Sequence, residues 1–255
     1  MDDTELTDAR LTALLDGTAA AVIEALGGVS DWGLARAGAH GGQHHSDIVA
    51  DEAALAVLLP GGVGVLSEES GLHEADRDVV VVVDPLDGST NALHGIPWYA
   101  VSLCAVDAKG ARAALVINIA TGERFDAVRG GGATRNGEPI APSGATRLGS
   151  SLVGLSGYPP RRFGWKQYRA LGASALDLCA VACGRLDAFV DCSRNAHGSW
   201  DYLGGMLICL EAGAVVLDAF DRSLVVLEHD GRRTPVAAAT QVLLGEVIAA
   251  RRSFE

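Results

Sequence analysis

Four carboxylates stand where the chain is expected to leave a regular element: Glu68, Asp84, Asp87 and Asp201. Glu68 lies in Ser67-Glu68-Glu69-Ser70, directly after the short apolar run Gly64-Val65-Leu66. Asp84 and Asp87 follow five consecutive valines in the stretch 79–91, VVVVVDPLDGSTN. Carboxylates near a core are costly unless they are paired or bound to metal. Hard oxygen donors suit Mg2+, which takes an octahedral shell, keeps several waters and completes it with substrate phosphate. The spacing lets Asp84 bridge two ions and Asp87 hold one, with the Leu86 carbonyl as a further hard ligand between them. Two ions about 4 Å apart activate a water, bind phosphoryl oxygens and offset charge on the leaving oxygen. The plain alternative for DPLDGSTN alone is a solvated turn, since Asp, Pro, Gly and Ser are ordinary turn residues. Glu68 before it and Asp201 far behind it are what favour a site.

Composition points the same way. The chain has 255 residues, 32 acidic against 20 basic, for a net charge of −12. Such a balance argues against nucleic acid or an anionic membrane surface as main partner and suits divalent cations. An anionic substrate then needs metal to offset the repulsion. No apolar run has the length of a membrane span, and the acidic N-terminus lacks the basic-then-apolar plan of a signal peptide, so a cytoplasmic protein is expected. Five cysteines are an odd number; Cys179 and Cys183 are four apart, but no second close pair completes a zinc pattern. They read as small core residues in a reducing compartment. His40, His44 and His45 fall in a Gly-, Ala- and His-rich stretch, 28–46, that reads as a surface loop.

These acids need elements to position them. Leu11, Leu14, Leu15, Val22 and Ile23 recur at helical spacing, predicting a helix over 4–26 that Gly27-Gly28 stops. A second helix is predicted over 47–59, with Asp47 or Asp51 as capping acids and Pro60-Gly61-Gly62 as its end. A short strand at 64–66 runs into Glu68, and the valines form a strand buried on both faces. Strands at 98–106, 111–120 and 124–128 follow, joined by turns at 107–110 and 121–123. The glycines at 130–132 are a turn rather than a phosphate loop, because no lysine with serine or threonine follows and no helix opens behind them. Residues 138–150 carry Pro, Gly and Ser and mark the boundary between an α+β lobe at 1–145 and an α/β lobe at 146–255. The second lobe is predicted as a strand at 151–155, an exposed YPPRRFGWK, a helix at 166–184 and a strand at 185–190. A helix at 201–213 then carries Asp201 in its first turn, before short strands at 214–217, 224–227 and 235–238 and a closing helix at 240–249.

Three ordered motifs, SEES at 67–70, DPLDGSTN at 84–91 and WDYLGGMLICLEAG at 200–213, together resemble the inositol monophosphatase family of magnesium-dependent, lithium-sensitive phosphomonoesterases. His94-Gly95-Ile96-Pro97 and LGASALDLCAVACGRLDAFVD at 171–191 extend the resemblance over residues 47–217. It implies a layered αβαβα sandwich, two or three Mg2+ ions between the lobes, and a homodimer. Glu68, Asp84 and the Leu86 carbonyl would hold the first ion, Asp84, Asp87 and Asp201 the second, and Glu68 with waters a third. Ser89 stands where the family usually has a threonine that orients the attacking water. Gly88, Ser89 and Thr90 would offer backbone N–H groups to the phosphate at a helix N-terminus. The implied reaction is in-line attack on phosphorus by metal-activated water, without a phosphoenzyme, the alkoxide taking its proton from a second metal-held water.

Two departures bear on rate and substrate. The family usually shows Asp-x-Val-Thr-x-x-Asp before the metal glutamate, with a lysine upstream; its last Asp helps activate water. Here the segment is Asp47-Ile48-Val49-Ala50-Asp51, shortened and without threonine, with His44-His45 upstream. Asp51, and behind it Asp47, are the candidates for that role. If neither reaches Ser89, turnover is expected to be slow or to lean on Glu68. Seven residues before the metal aspartate, inositol-selective members place a glutamate; this chain has Arg194, and Asp191 is the nearest acid. An arginine favours a carboxylate or second phosphate, and a solvent-facing arginine in a shifted loop is the equal alternative. Asn195 and His197 could line the same mouth, with His197 a packing or specificity residue rather than a ligand. Gly88, Ser89, Thr90, Asp191, Arg194, His197 and Asp201 are thus the expected substrate side. The expected activity is hydrolysis of a small phosphomonoester, most simply an inositol or related polyol or sugar phosphate. Histidinol phosphate, fructose 1,6-bisphosphate or a 3'-phosphonucleotide are alternatives, the last weakened by Asn91 after Ser89-Thr90. A non-catalytic phosphate- or metal-binding regulator is the reading of a different class, supported only by the altered 47–51 segment.

Overall fold

The computed structural model describes residues 6–28 and 45–254. Leu11, Leu15, Ala19, Val22 and Leu26 share one buried side of α1 (Asp8–Gly27), whose first turn is capped by the Thr7 hydroxyl accepting from the Arg10 N–H. α1 packs beside α2 (His45–Leu58), and both cover one face of an eight-stranded sheet. Its strands are β1 (Gly64–Ser67), β2 (Gly71–His73), β3 (Val80–Asp87), β4 (Ala100–Asp107), β5 (Gly110–Asn118), β6 (Arg124–Val128), β7 (Gly132–Arg135) and β8 (Glu138–Pro139), in the order β2-β1-β3-β4-β5-β6-β7-β8. All neighbours are antiparallel except β1 and β3. The short α3 (Ser89–Leu93) follows β3.

The second sheet holds β9 (Leu152–Ser156), β10 (Gln167–Arg169), β11 (Ala188–Asp191), β12 (Val215–Asp218) and β13 (Pro235–Ala238), in the order β10-β9-β11-β13-β12. α4 (Ser174–Ala182) and α5 (Leu203–Ala212) lie between the sheets, and α6 (Gln241–Arg252) covers the far side of the second. The layers therefore run αβαβα. Being enclosed on both faces explains the unbroken valines. Val79, Val81 and Val83 pack with Leu11, Leu15 and Leu58 under the first helices, whereas Val80 and Val82 pack with Leu178, Met206 and Leu207 of the central layer. Each fully buried valine contributes roughly 1.5–3 kcal/mol. The central cluster continues to Phe189 and Ala237 of the second sheet, so both sheets share one core.

Several predicted boundaries move. Residues 166–184 are not one helix: Gln167–Arg169 pair with Leu152–Gly154 as an edge strand, Gly172 has φ +89°, and α4 starts only at Ser174. Asp201 is not in the first turn of α5; it ends a 3-10 turn, Ser199–Asp201, and Tyr202 at φ −134° separates that turn from the helix. No strand forms at 224–227, where Leu224 and Val226 pack into the core individually and the Leu224 carbonyl accepts from the Tyr202 hydroxyl at 2.7 Å. The central strand continues past the valines through Pro85 to Asp87. His40 and His44 lie outside the described residues, and His45 opens α2.

Candidate metal centre

The parallel pairing of β1 and β3 sets Ser67 beside Val83, and the Glu68 N–H donates to the Val83 carbonyl at 3.2 Å. The next residues, Glu68 and Asp84, therefore leave the ladder side by side. Against β4 the register slips between Asp84, opposite Ser102, and Asp87, opposite Ala100. Such a bulge re-aims side chains at a strand end. The Leu86 N–H donates to Asp84 Oδ1 at 3.0 Å, and the Ala175 N–H in the first turn of α4 donates to Asp87 Oδ2 at 2.8 Å. Gly88, at φ +83°, then turns the chain into α3. A Cβ there would lie 3.0 Å from Ala173 Cβ and from the Trp98 carbonyl, so only glycine fits. Asn91 fastens this turn to both sides, its amide donating to the carbonyls of Trp98 and Leu171 at 2.7 Å each.

Asp201 arrives from the opposite direction. Its Oδ2 accepts from the Gly198 N–H at 2.8 Å and lies 3.2 Å from His197 Nδ1. Asp84, Asp87 and Asp201 each present a carboxylate oxygen within 4.8 Å of the others. Glu68 adjoins them through a hydrogen bond with Asp84. The loop at 228–233, exposed at 228–230 and half-buried beyond, lies against one side: His229 Nε2 is 2.9 Å from the Glu68 carbonyl oxygen, its ring is 5.1 Å from Trp200, and the Arg232 guanidinium lies 4.9 Å from the same indole.

Burial, followed by the charges of Asp201 and Glu69, pushes Glu68 up to about 8. Burial first, then neighbouring carboxylates, holds both Asp84 and Asp87 well above the usual carboxylate range. At His197, burial works against the charged form, but the hydrogen bond and charge of Asp201, helped by Asp191 and Asp87, outweigh it and raise the imidazole to about 9. A cluster that resists its own ionisation in this way is relieved by a cation. Its donors are oxygen alone, with neither thiolate nor imidazole in the trio, which fits a hard dication such as Mg2+.

The other predicted residues are placed as follows. Ser89 is half-buried and Thr90 exposed at the start of α3, and Leu86 is buried in the bulge. Asp51 is hydrogen-bonded by the Ser67 hydroxyl, which also accepts the Glu69 N–H at 3.1 Å. Asp47 is buried and its charge acts on Glu68. Asp191 is fully buried, and Arg194 is exposed with its guanidinium 4.7 Å from the Phe220 ring centroid. Two buried acids are not singled out by the sequence: Asp218, which is paired with Arg222, and Asp177, whose carboxylate accepts from Trp98 Nε1 at 2.9 Å and is raised to about 8 by burial. The only signal for Asp177 is an acid in the first turn of an otherwise apolar helix.

An αβαβα sandwich whose sheet ends and 3-10 turn converge on three aspartates is the architecture of the sugar- and inositol-phosphatase class. A model of the inositol monophosphatase family matches residues 46–254, and the chain belongs to that family. It is 38% identical over 203 residues to the fructose-1,6-bisphosphatase/inositol-1-monophosphatase of Archaeoglobus fulgidus, covering 78% of this chain and 79% of the relative. It is 37% identical over 174 residues to the Nus factor SuhB of Escherichia coli, covering 60% of this chain and 62% of that protein. Among solved structures, a Pyrococcus horikoshii protein with similarities to inositol-1 monophosphatase superposes with a TM-score of 0.81 at 27% identity, covering 94% of this chain and 96% of that one. No helix among the described residues is long and apolar enough to cross a membrane.

Proposed function

We propose that this chain is a Mg2+-dependent phosphomonoesterase that releases inorganic phosphate from a small polyol or sugar phosphate resembling inositol monophosphate. The convergence of Asp84, Asp87 and Asp201, with Glu68 alongside, carries the reading. Glu68, Asp84, the Leu86 carbonyl, Asp87 and Asp201 would hold two or three ions. Mg2+ there supplies an activated water for attack on phosphorus and neutralises charge on the phosphoryl and leaving oxygens. The Ser89 hydroxyl orients that water. The N–H groups of Gly88, Ser89 and Thr90 take phosphate oxygens where the chain enters α3, a turn whose donors lack intrahelical acceptors. Asp51, with Asp47 behind it, is the assisting acid: the Ser67 hydroxyl donates to one Asp51 oxygen only, and the charge of Asp47 acts on Glu68. Arg194 is assigned to packing on Phe220 rather than to substrate. A cytoplasmic homodimer completes the reading, and light scattering on the purified protein tests the dimer.

Two alternatives keep a specific basis. The Archaeoglobus relative is named for fructose 1,6-bisphosphate as well as inositol phosphate. The Escherichia coli relative is named as a Nus factor, which keeps a binding role beside catalysis. Phosphate release from inositol monophosphate, fructose 1,6-bisphosphate and histidinol phosphate, with Mg2+ and with or without lithium, separates them. Highest kcat/KM on inositol monophosphate with lithium inhibition is expected. A preference for either other substrate would reassign specificity, and no release from any of the three would favour the regulator.

A further inference from the structure

We infer that His197, backed by Ser156 and Asp191, is a positioning residue that fixes the metal-facing carboxylate of Asp201. The inference rests on the reading of Asp201 as a metal ligand. His197 is only 9% exposed, enclosed as the packing residue that its sequence position allows. Its Nδ1 lies 3.2 Å from Asp201 Oδ2, and the same oxygen accepts the Gly198 N–H at 2.8 Å. An ionised carboxylate only accepts, so Nδ1 carries the proton. Two donors on one oxygen fix the plane of the carboxylate, and with it the direction in which its remaining lone pairs point.

The imidazole is itself held from behind. Nε2 lies 3.0 Å from Ser156 Oγ and 3.8 Å from Asp191 Oδ1. The main chain of His197 pairs with Arg233, N–H to carbonyl at 3.3 Å and carbonyl to N–H at 2.9 Å. The Phe189 ring meets the imidazole edge-on at 6.4 Å. Asp191 is fully buried; its Oδ1 accepts the Ser193 N–H at 2.9 Å, and its Oδ2 has no hydrogen-bond partner among the described residues. Arg251, buried in α6, donates from Nε to the Asp191 carbonyl at 2.6 Å and from Nη2 to the Ser193 carbonyl at 3.3 Å. A chain of polar contacts thus runs from the outermost helix through β11 and His197 to Asp201. Residues that orient a metal ligand in this manner typically set metal affinity by about 10–100-fold.

The test uses the metal alone. Mn2+ is titrated into the substrate-free protein and followed by electron paramagnetic resonance, with thermal unfolding of each variant recorded without metal. His197→Ala is expected to weaken Mn2+ binding by about 10–100-fold, and Ser156→Ala, which keeps the imidazole, by about tenfold at the low end of that range. His197→Asn, whose amide N–H occupies the place of Nδ1–H, is expected to recover most of the affinity. A merely structural histidine would lower the melting temperature and leave the affinity of the folded fraction unchanged. Parent affinity in folded His197→Ala overturns the inference, as does equal weakening by His197→Asn and His197→Ala. If His197→Ala does not fold, parent affinity in Ser156→Ala overturns it. Failure of the parent protein to bind Mn2+ is a different result: it removes the metal reading itself, and the inference with it.

Discussion

Asp177 shows how a single buried acid couples this fold to pH. Its folded pKa is raised to about 8, from the ordinary aspartate value of 3.8, because burial penalises the charge and neither the Trp98 bond nor the nearby His197 offsets it. Between those values the folded chain keeps a proton that the unfolded chain has released, so stability declines as pH rises through that window. Glu68, Asp84 and Asp87 act with the same sign when no metal is bound. Asp177→Asn keeps an acceptor for Trp98 and is expected to flatten the decline in urea midpoint between pH 5 and pH 8, measured in EDTA. A midpoint profile parallel to the parent's would contradict this assignment. Ser67 offers a second test: Ser67→Ala strands the buried Asp51 carboxylate and the Glu69 N–H, at an expected cost of about 1–3 kcal/mol in urea unfolding. At this scale the acids of the site were legible, since carboxylates at element ends are costly without a purpose. Their supports were less so. Counting back from Asp201 points to Arg194, an exposed side chain whose guanidinium lies 4.7 Å from the Phe220 ring centroid. For His197 the sequence leaves packing and specificity both open, because it does not show that Ser156, forty-one positions away, stands behind the imidazole.

Elements bring the acids together by direction rather than by proximity in sequence. β2 reverses the chain after β1, so that β3 returns parallel to β1 and both release an acid at the same edge. α4 anchors Asp87 through Ala175, and α5 must approach α4 closely for that anchor to sit under the sheet. Gly205 permits the approach: a Cβ there would lie 2.6 Å from Leu178 Cβ and 2.9 Å from the Ala175 carbonyl. Gly205→Ala is therefore expected to destabilise by about 1–3 kcal/mol and to weaken metal binding together with stability, measured by denaturant unfolding and Mn2+ titration. Unchanged stability would show that the α4–α5 contact relaxes freely. Alternating burial made the strands readable, and the valines announced the two-faced burial of β3. The missed helix start at 166 has a physical cause. Residues 167–169 are satisfied by edge pairing to β9, a contact that their own polarity does not reveal.

At the scale of the whole molecule, the trio draws on both ends of the site: Asp84 and Asp87 come from the first sheet, and Asp201 from the turn leading into the central layer. A ligand held by all three binds the folded state and not the unfolded one, so Mg2+ at a hundred times its dissociation constant is expected to add about 2.7 kcal/mol. For a chain of this size that corresponds to roughly 5–11 °C in melting temperature. Scanning calorimetry with Mg2+ and with EDTA reads the difference, and equal melting temperatures would count against a site shared across the layers. The layered plan itself was anticipated through resemblance more than through periodicity. Hydrophobic spacing locates helices and strands, but only the three ordered motifs indicated that two sheets would enclose a shared pair of helices. The central claim is that this acidic cluster holds the Mg2+ on which phosphate release depends. Its most direct test is Mg2+-dependent phosphate release by the parent protein and by Asp84→Asn over the same panel of phosphomonoesters. Release that requires Mg2+, stops with EDTA and is abolished in Asp84→Asn is the predicted result; release by Asp84→Asn at the parent rate would contradict it.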